Sequence, residues 1–349
     1  MKQIPQIDSA TWFCWSAMCA DLMAVDAPNW EGRTAAILDC LRDARGRGLH
    51  VPADHFAGAL NNRGVAYGRR CEVEKAITDY SAVVEMPDAP AKQRARALVN
   101  RGITYGTRGE VEQAIADFSA VLGMPDAPAE QRARALVSRG IAYGRRGEVE
   151  QVIADYSAAL GMPDAPAEQR ARALVNRGIA YGERGEVEQA IADLSAVLGM
   201  PDAPAEQRAR ALVNRGTAYW QRGELEQAIA DYGAVLGMRD APAEQRAKAL
   251  YNRGVVHGQR GEVEQEIADY SAVLCMLEAP AEQRATALVH RGVTYVQRGE
   301  FEKALEDLRA VAEAEWAPEE QRRLATDLLA KITAPLTPPP THTPGSGPG

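Results

Sequence analysis

A unit of 38 residues recurs along the chain, marked by prolines at Pro52, Pro90, Pro128, Pro166, Pro204, Pro242, Pro280 and Pro318. After each of the first seven comes an Arg-Gly pair, and in six of the seven copies a Tyr stands three residues beyond the Gly, as in Arg101, Gly102 and Tyr105. A period of this length means one supersecondary element that stacks on its neighbours, so the expected object is a solenoid and not a globule. In the copy that starts at Pro128, proline suits the first helical position, where its missing N–H would be unpaired anyway. That helix is expected to run to about Arg146 and to break at Gly147. A second helix is expected from Glu148, because Val149, Ile153, Tyr156, Ala159 and Leu160 recur at three- and four-residue steps and define one apolar face. Met162-Pro163-Asp164-Ala165-Pro166 then closes the unit, since prolines this close together cannot extend the preceding helix.

One such helix pair carries too few large apolar side chains to offset the entropy of ordering it, so stacking is obligatory and both ends need covers. Seven repeats occupy residues 51–316. An unpaired first helix at 317–333, with Leu324, Leu328, Leu329 and Ile332 on one face, is expected to cap the C-terminal end. Residues 1–50, with Trp12, Trp15 and Trp30, read as a degenerate helical N-terminal cap, and 334–349, rich in Pro, Thr and Gly, as a disordered tail.

Composition narrows the function. Hydrophobic residues make up 46% of the chain but aromatics only 6%, which suits packed helices, and a net charge of −8 gives no blanket affinity for nucleic acid or anionic lipid. The stretch from Ala10 to Val25 is too short to span a bilayer and contains Asp21. Cys14, Cys19, Cys40, Cys71 and Cys275 are odd in number and irregularly spaced, which fits free thiols in a reducing, cytoplasmic setting. His50, His55, His257, His290 and His342 stand in no triad or metal spacing, and no phosphate loop is present. No catalytic residue, metal or cofactor is expected, and the chain is not expected to be an enzyme.

Two polar constellations recur. The Arg of each Arg-Gly pair (Arg63, Arg101, Arg139, Arg177, Arg215, Arg253, Arg291) is followed sixteen residues later by Asp (Asp79, Asp117, Asp155, Asp193, Asp231, Asp269, Asp307). This predicts a bidentate ion pair from first to second helix in every unit. A second stripe places Asn62, Asn100, Asn176, Asn214 and Asn252 one residue before that Arg, with Ser138 and His290 at the same register. Four residues ahead of the later members stand Arg96, Arg134, Arg172, Arg210 and Lys248, and a spacing of four puts cation and amide on one helix face.

On these residues the chain resembles the tetratricopeptide repeat family from residue 52 to about 333. Leu98, Gly102, Tyr105, Gly109, Ala114 and Phe118 occupy the family's motif positions and recur in later units; Cys71, His257, Leu194 and Leu308 are departures, and the period of 38 exceeds the usual 34. The resemblance implies an all-α fold, a right-handed α-solenoid of stacked antiparallel helix pairs. It also implies that the Asn/Arg stripe lines a concave groove, where family members hold a peptide carboxylate with Lys or Arg and Asn, or grip an extended backbone with a ladder of Asn. Gly106, Gly144 and Gly182 would leave room for the ligand chain. The expected function is a noncatalytic scaffold, monomeric, holding an extended acidic peptide or partner segment, with neither nucleic acid nor membrane as partner. An alternative is a structural solenoid that self-associates through the Trp-rich N-terminal segment, and the bland reading of the stripe is that its Asn and Arg merely solvate the surface or bond to the next helix.

Overall fold

The computed structural model describes residues 38, 39, 41–43, 46 and 52–333, so Trp12, Trp15, Trp30 and the segment 334–349 lie outside the described residues. The described part of the chain is all-α, and the chain divides into two units, 1–203 and 204–349. The first contains four helix pairs: α1 (Ala53–Arg69) with α2 (Val73–Glu85), α3 (Ala91–Arg108) with α4 (Val111–Leu122), α5 (Ala129–Arg145) with α6 (Val149–Leu160), and α7 (Ala167–Glu183) with α8 (Val187–Leu198). The second contains α9 (Ala205–Gln221) with α10 (Leu225–Gly237), α11 (Ala243–Gln259) with α12 (Val263–Cys275), α13 (Ala281–Gln297) with α14 (Phe301–Ala312), and then α15 (Glu319–Thr333) alone.

The local chemistry of the repeat explains these boundaries. Each proline sits one residue earlier than the first-turn position expected for it. Pro128, for example, has φ −57° and ψ 145° at the N-cap of α5, and its carbonyl accepts the Arg132 N–H at 3.0 Å. The ring presets φ, while the extended ψ lets the chain enter from the loop and still offer the first helical acceptor. At the other end, Gly109, Gly147, Gly185, Gly223, Gly261 and Gly299 have φ between 74° and 86°. The following Glu N–H then reaches back five residues, as from Glu110 to Tyr105 O at 2.9 Å, which closes the helix by satisfying a terminal carbonyl.

Within each unit neighbouring pairs stack. First helices of successive pairs touch one another, whereas second helices of successive pairs do not, so the first-helix side is the tighter, inner side of each stack. The core is thin and small-residue rich: Ala95, Val99, Ala114, Phe118 and Val121 are buried in the second pair, and Leu38 and Leu41 join the core of α1 and α2. In six of the seven Arg-Gly pairs the Gly is required by close approach, since a Cβ on Gly102 would lie 2.7 Å from the Phe118 ring and one on Gly140 would lie 2.6 Å from that of Tyr156; at Gly292 the nearest atom, on Leu308, would be 3.1 Å away. At the end of the second unit α15 buries Ala325 and packs Leu328, Leu329 and Ile332 against the cluster of Val289, Leu308 and Val311.

Cys71 breaks the glycine rule and nonetheless adopts φ 62°, where a Cβ crowds the following carbonyl. Cys71→Gly is therefore expected to stabilise the chain by about 1 kcal/mol, read as a rise in the urea midpoint. An unchanged or lower midpoint would show that the left-handed turn carries no strain.

Candidate functional site

Every recurrent Arg–Asp pair forms. Arg101 Nε and Nη2 donate to the Asp117 carboxylate at 2.8 and 2.7 Å, and the same fork joins Arg63 to Asp79, Arg139 to Asp155, Arg177 to Asp193, Arg215 to Asp231, Arg253 to Asp269 and Arg291 to Asp307. The aspartates are buried and the arginines half-buried. The carboxylate bond raises the Arg177 pKa above its ordinary value, against the opposing effect of burial, so the guanidinium stays charged. The Tyr of the motif also has a place: the Arg101 guanidinium lies 5.9 Å from the Tyr105 ring centroid, one turn along the same helix.

Sequence reasoning missed a third partner. Arg101 Nη1 donates to Ser81 Oγ at 2.9 Å on the second helix of the preceding pair, and Arg139–Ser119, Arg177–Ser157 and Arg291–Ser271 repeat the contact. Each of these arginines thus ties three helices together. The signal was present as a Ser two residues after each of these Asp positions, but that spacing acquires meaning only when the next pair is stacked on it. For Arg253 of α11 the serine is missing, because Gly233 stands at that position on α10, with Arg253 Nη1 3.8 Å from where its Cβ would be.

The second stripe lies on the inner face, and all ten of its candidate residues are half-buried. The cation–amide pairs of Arg96 and Arg134 run between helix pairs and not along one helix. Arg96 Nη2 instead reaches back to Asn62 Oδ1 of the preceding pair at 2.7 Å, and Arg134 Nη2 to Asn100 Oδ1 at 3.3 Å. The reason is reach: a guanidinium pointing along the stack meets the acceptor one pair earlier. Arg172 and Asn176 occupy the equivalent positions of α7. In the second unit Arg210 donates to Gln207 Oε1 at 3.1 Å, and Asn214 Nδ2 donates to its own helix at Arg210 O at 2.8 Å. Lys248 pairs with Glu244 at 2.7 Å, and Asn252 hydrogen-bonds Tyr232.

Burial first, and then the guanidiniums of Arg172 and Arg96, push the Arg134 pKa below its ordinary value, with Glu130 and Glu168 opposing. Three cations therefore share one stretch of the inner face of the first unit. Beside them Ile103 and Ile141 are exposed. Of the three glycines expected to leave room, Gly106 is covered, since Arg145 Nη1 donates to its carbonyl and would lie 3.5 Å from a Cβ there. At Gly144 and Gly182 a Cβ would meet only ordinary contacts at 3.7 and 3.9 Å. Among the described residues no group of three or more His, Cys, Asp or Glu could hold a metal ion, and no helix is long and apolar enough to cross a membrane.

Antiparallel helix pairs stacked through a repeated polar node define an α-solenoid. The tetratricopeptide repeat profile matches residues 175–242 and 213–285. In structure the chain is similar to a tetratricopeptide repeat protein from Parabacteroides merdae, with a TM-score of 0.55 at 19% identity over 77% of this chain and 98% of that one. It is also similar to a chain in the Cut9–Hcn1 hetero-tetramer of APC/C (TM-score 0.56, 14% identity, 96% of this chain, 57% of that one). A third likeness is to PilW, a type IV pilus biogenesis factor, at TM-score 0.51 and 16% identity, covering 62% of this chain and 92% of that one. No curated protein matches the sequence. The fold is that of tetratricopeptide repeat proteins, and the family's profile matches the stretch 175–285 within it.

Two predictions follow from the three-helix node. Arg177→Leu leaves the buried Asp193 without its partner and is expected to cost about 2 kcal/mol, part of which Asp193→Asn restores; strictly additive losses in that cycle would refute the coupling. Gly233→Ser supplies the missing acceptor for Arg253 and removes a mid-helix glycine, for an expected gain of about 1 kcal/mol in denaturant unfolding.

Proposed function

We propose that the chain is a noncatalytic interaction scaffold whose inner face in the first unit holds an extended, acidic segment of a partner protein. Tetratricopeptide arrays commonly mediate protein–protein contacts, and the observation that carries the finer reading is the row Arg96, Arg134 and Arg172. The arginines of the Arg-Gly pairs are each neutralised by a carboxylate fork, whereas Arg134 is desolvated between two like charges. An anionic ligand relieves that repulsion, and the exposed Ile103 and Ile141 beside the row offer apolar contact to alternate side chains of an extended chain.

Asn62 and Asn100 act in this reading mainly as positioning residues. Their carbonyl oxygens hold Arg96 and Arg134, which leaves each amide NH2 to donate to a peptide carbonyl. Asn214 and Asn252 are engaged within the second unit, so Asn100 is the better test position of the ladder. Exposed, unpaired Cys71 and Cys275 suit the reducing, cytoplasmic setting that goes with this role.

The test is fluorescence anisotropy with a labelled twelve-residue peptide of alternating Glu and Leu, against its Gln–Leu counterpart. The acidic peptide is expected to bind more tightly and to weaken several-fold as salt rises through the physiological range. Arg134→Gln is expected to weaken it about ten-fold while leaving the Gln–Leu peptide unaffected. Equal binding of both peptides, or indifference to Arg134→Gln, would place the partner surface elsewhere.

A further inference from the structure

The repeat is broken by several substitutions that meet at one place in the second unit. The residue before the stripe amide is Val99, Val137, Val175, Val213 and Val289 in five copies but Tyr251 in the sixth. The second-helix position held by Ala76, Ala114, Val152, Ala190, Ala228 and Ala304, all buried, becomes Glu266. The stripe position itself becomes His290 in the following copy. Tyr251 Oη lies 3.0 Å from His290 Nε2, with the two rings edge-on at 5.1 Å between centroids. One turn beyond His290, the Thr294 hydroxyl donates to Glu266 Oε1 at 2.9 Å, and Glu266 also hydrogen-bonds the Tyr270 phenol. The Tyr270 ring lies 5.8 Å from that of Tyr251 and 6.1 Å from that of His290, so Glu266 and the pair Tyr251–His290 share one patch.

Glu266 differs from the other acidic groups of the core. Asp269, on the same helix, is forked by Arg253, but among the described residues the hydrogen-bond partners of Glu266 are the uncharged Thr294 and Tyr270. Its carboxyl carbon would lie 2.7 Å from a Cβ on Gly258, so the group is pressed into a place where most other copies keep alanine. Burial lowers the His290 pKa, which leaves the imidazole neutral at neutral pH and unable to supply a countercharge. A half-buried carboxylate with donors but no cation, beside two half-buried aromatic rings, suits a planar cation that can bond to the one and lie on the other.

We propose that the helix pairs α11–α12 and α13–α14 hold a second recognition site, in which Glu266 with the rings of Tyr251 and His290 takes an arginine side chain presented by a partner. The site rests on the inner face being the binding face, and its chemistry is opposite in sign to that of the arginine row of the first unit. A partner read by both would carry acidic and basic groups in separate segments.

The test uses the full chain and the small probe N-acetyl-arginine methylamide, followed by NMR on the His290 and Tyr251 ring signals, with the citrulline analogue as uncharged control. Saturable shifts at millimolar probe are expected, with citrulline at least about ten-fold weaker. Glu266→Ala, which restores the residue of other copies, is expected to abolish saturation while holding or raising the thermal midpoint; the exposed control Glu150→Ala changes neither. Absence of saturable shifts, or shifts that survive Glu266→Ala, would overturn the site. A fall in the midpoint of Glu266→Ala by more than about 5 °C would overturn it as well, by making the carboxylate a strut of the stack. Because the probe carries no acidic group, its outcome is independent of whether the acidic peptide binds the first unit.

Discussion

The bidentate contact between the Arg of each Arg-Gly pair and the Asp of the following helix is the interaction on which the rest of the structure depends. The apolar core is built largely from Ala and Val, whose contacts are nearly indifferent to small slides of one helix along another. A planar fork on a buried carboxylate is not indifferent, because both parallel hydrogen bonds are lost when the register moves. Where the third donor reaches a serine of the preceding pair, the same guanidinium also sets how pairs stack. Desolvated ion pairs add little net stability compared with apolar substitutes, so their value here lies in selecting one arrangement among many similar packings of small residues.

That constraint also sorts the arginines by role. Arg101 and Arg96 stand five residues apart on α3, yet one faces a carboxylate inside its own pair and the other faces the amide of Asn62 in the pair before. The first is consumed by the fold. The second is held by a neutral amide oxygen and keeps its net charge, and the proposed reading of the inner face as a surface for anions rests on that difference.

Near-identity of the repeats has an interpretive consequence. A feature present in every copy is explained by stacking, whereas a departure has to be explained by its own surroundings. Tyr251, Glu266 and His290 are departures that touch or share partners; Tyr251 and Glu266 put polar groups where other copies keep Val or Ala, and His290 replaces the stripe amide. Cys71 is a departure of the other kind, an isolated residue in a backbone conformation made for glycine.

The helix pairs, their period, the ion pairs and the recurrent Arg-Gly motif were legible in the sequence, because each depends on residues within one 38-residue unit at separations that helix geometry alone relates. The sequence order was equally clear about an Asn/Arg stripe on one helix face. What it paired was decided by tertiary structure: Arg96 chooses Asn62, thirty-four residues away, over Asn100 four residues along its own helix. The serine partners, the covering of Gly106 by Arg145 and the meeting of Tyr251 with His290 share that origin. All are contacts between neighbouring helix pairs, and their geometry is set by the rise and rotation from one pair to the next. No spacing within a repeat encodes those two quantities.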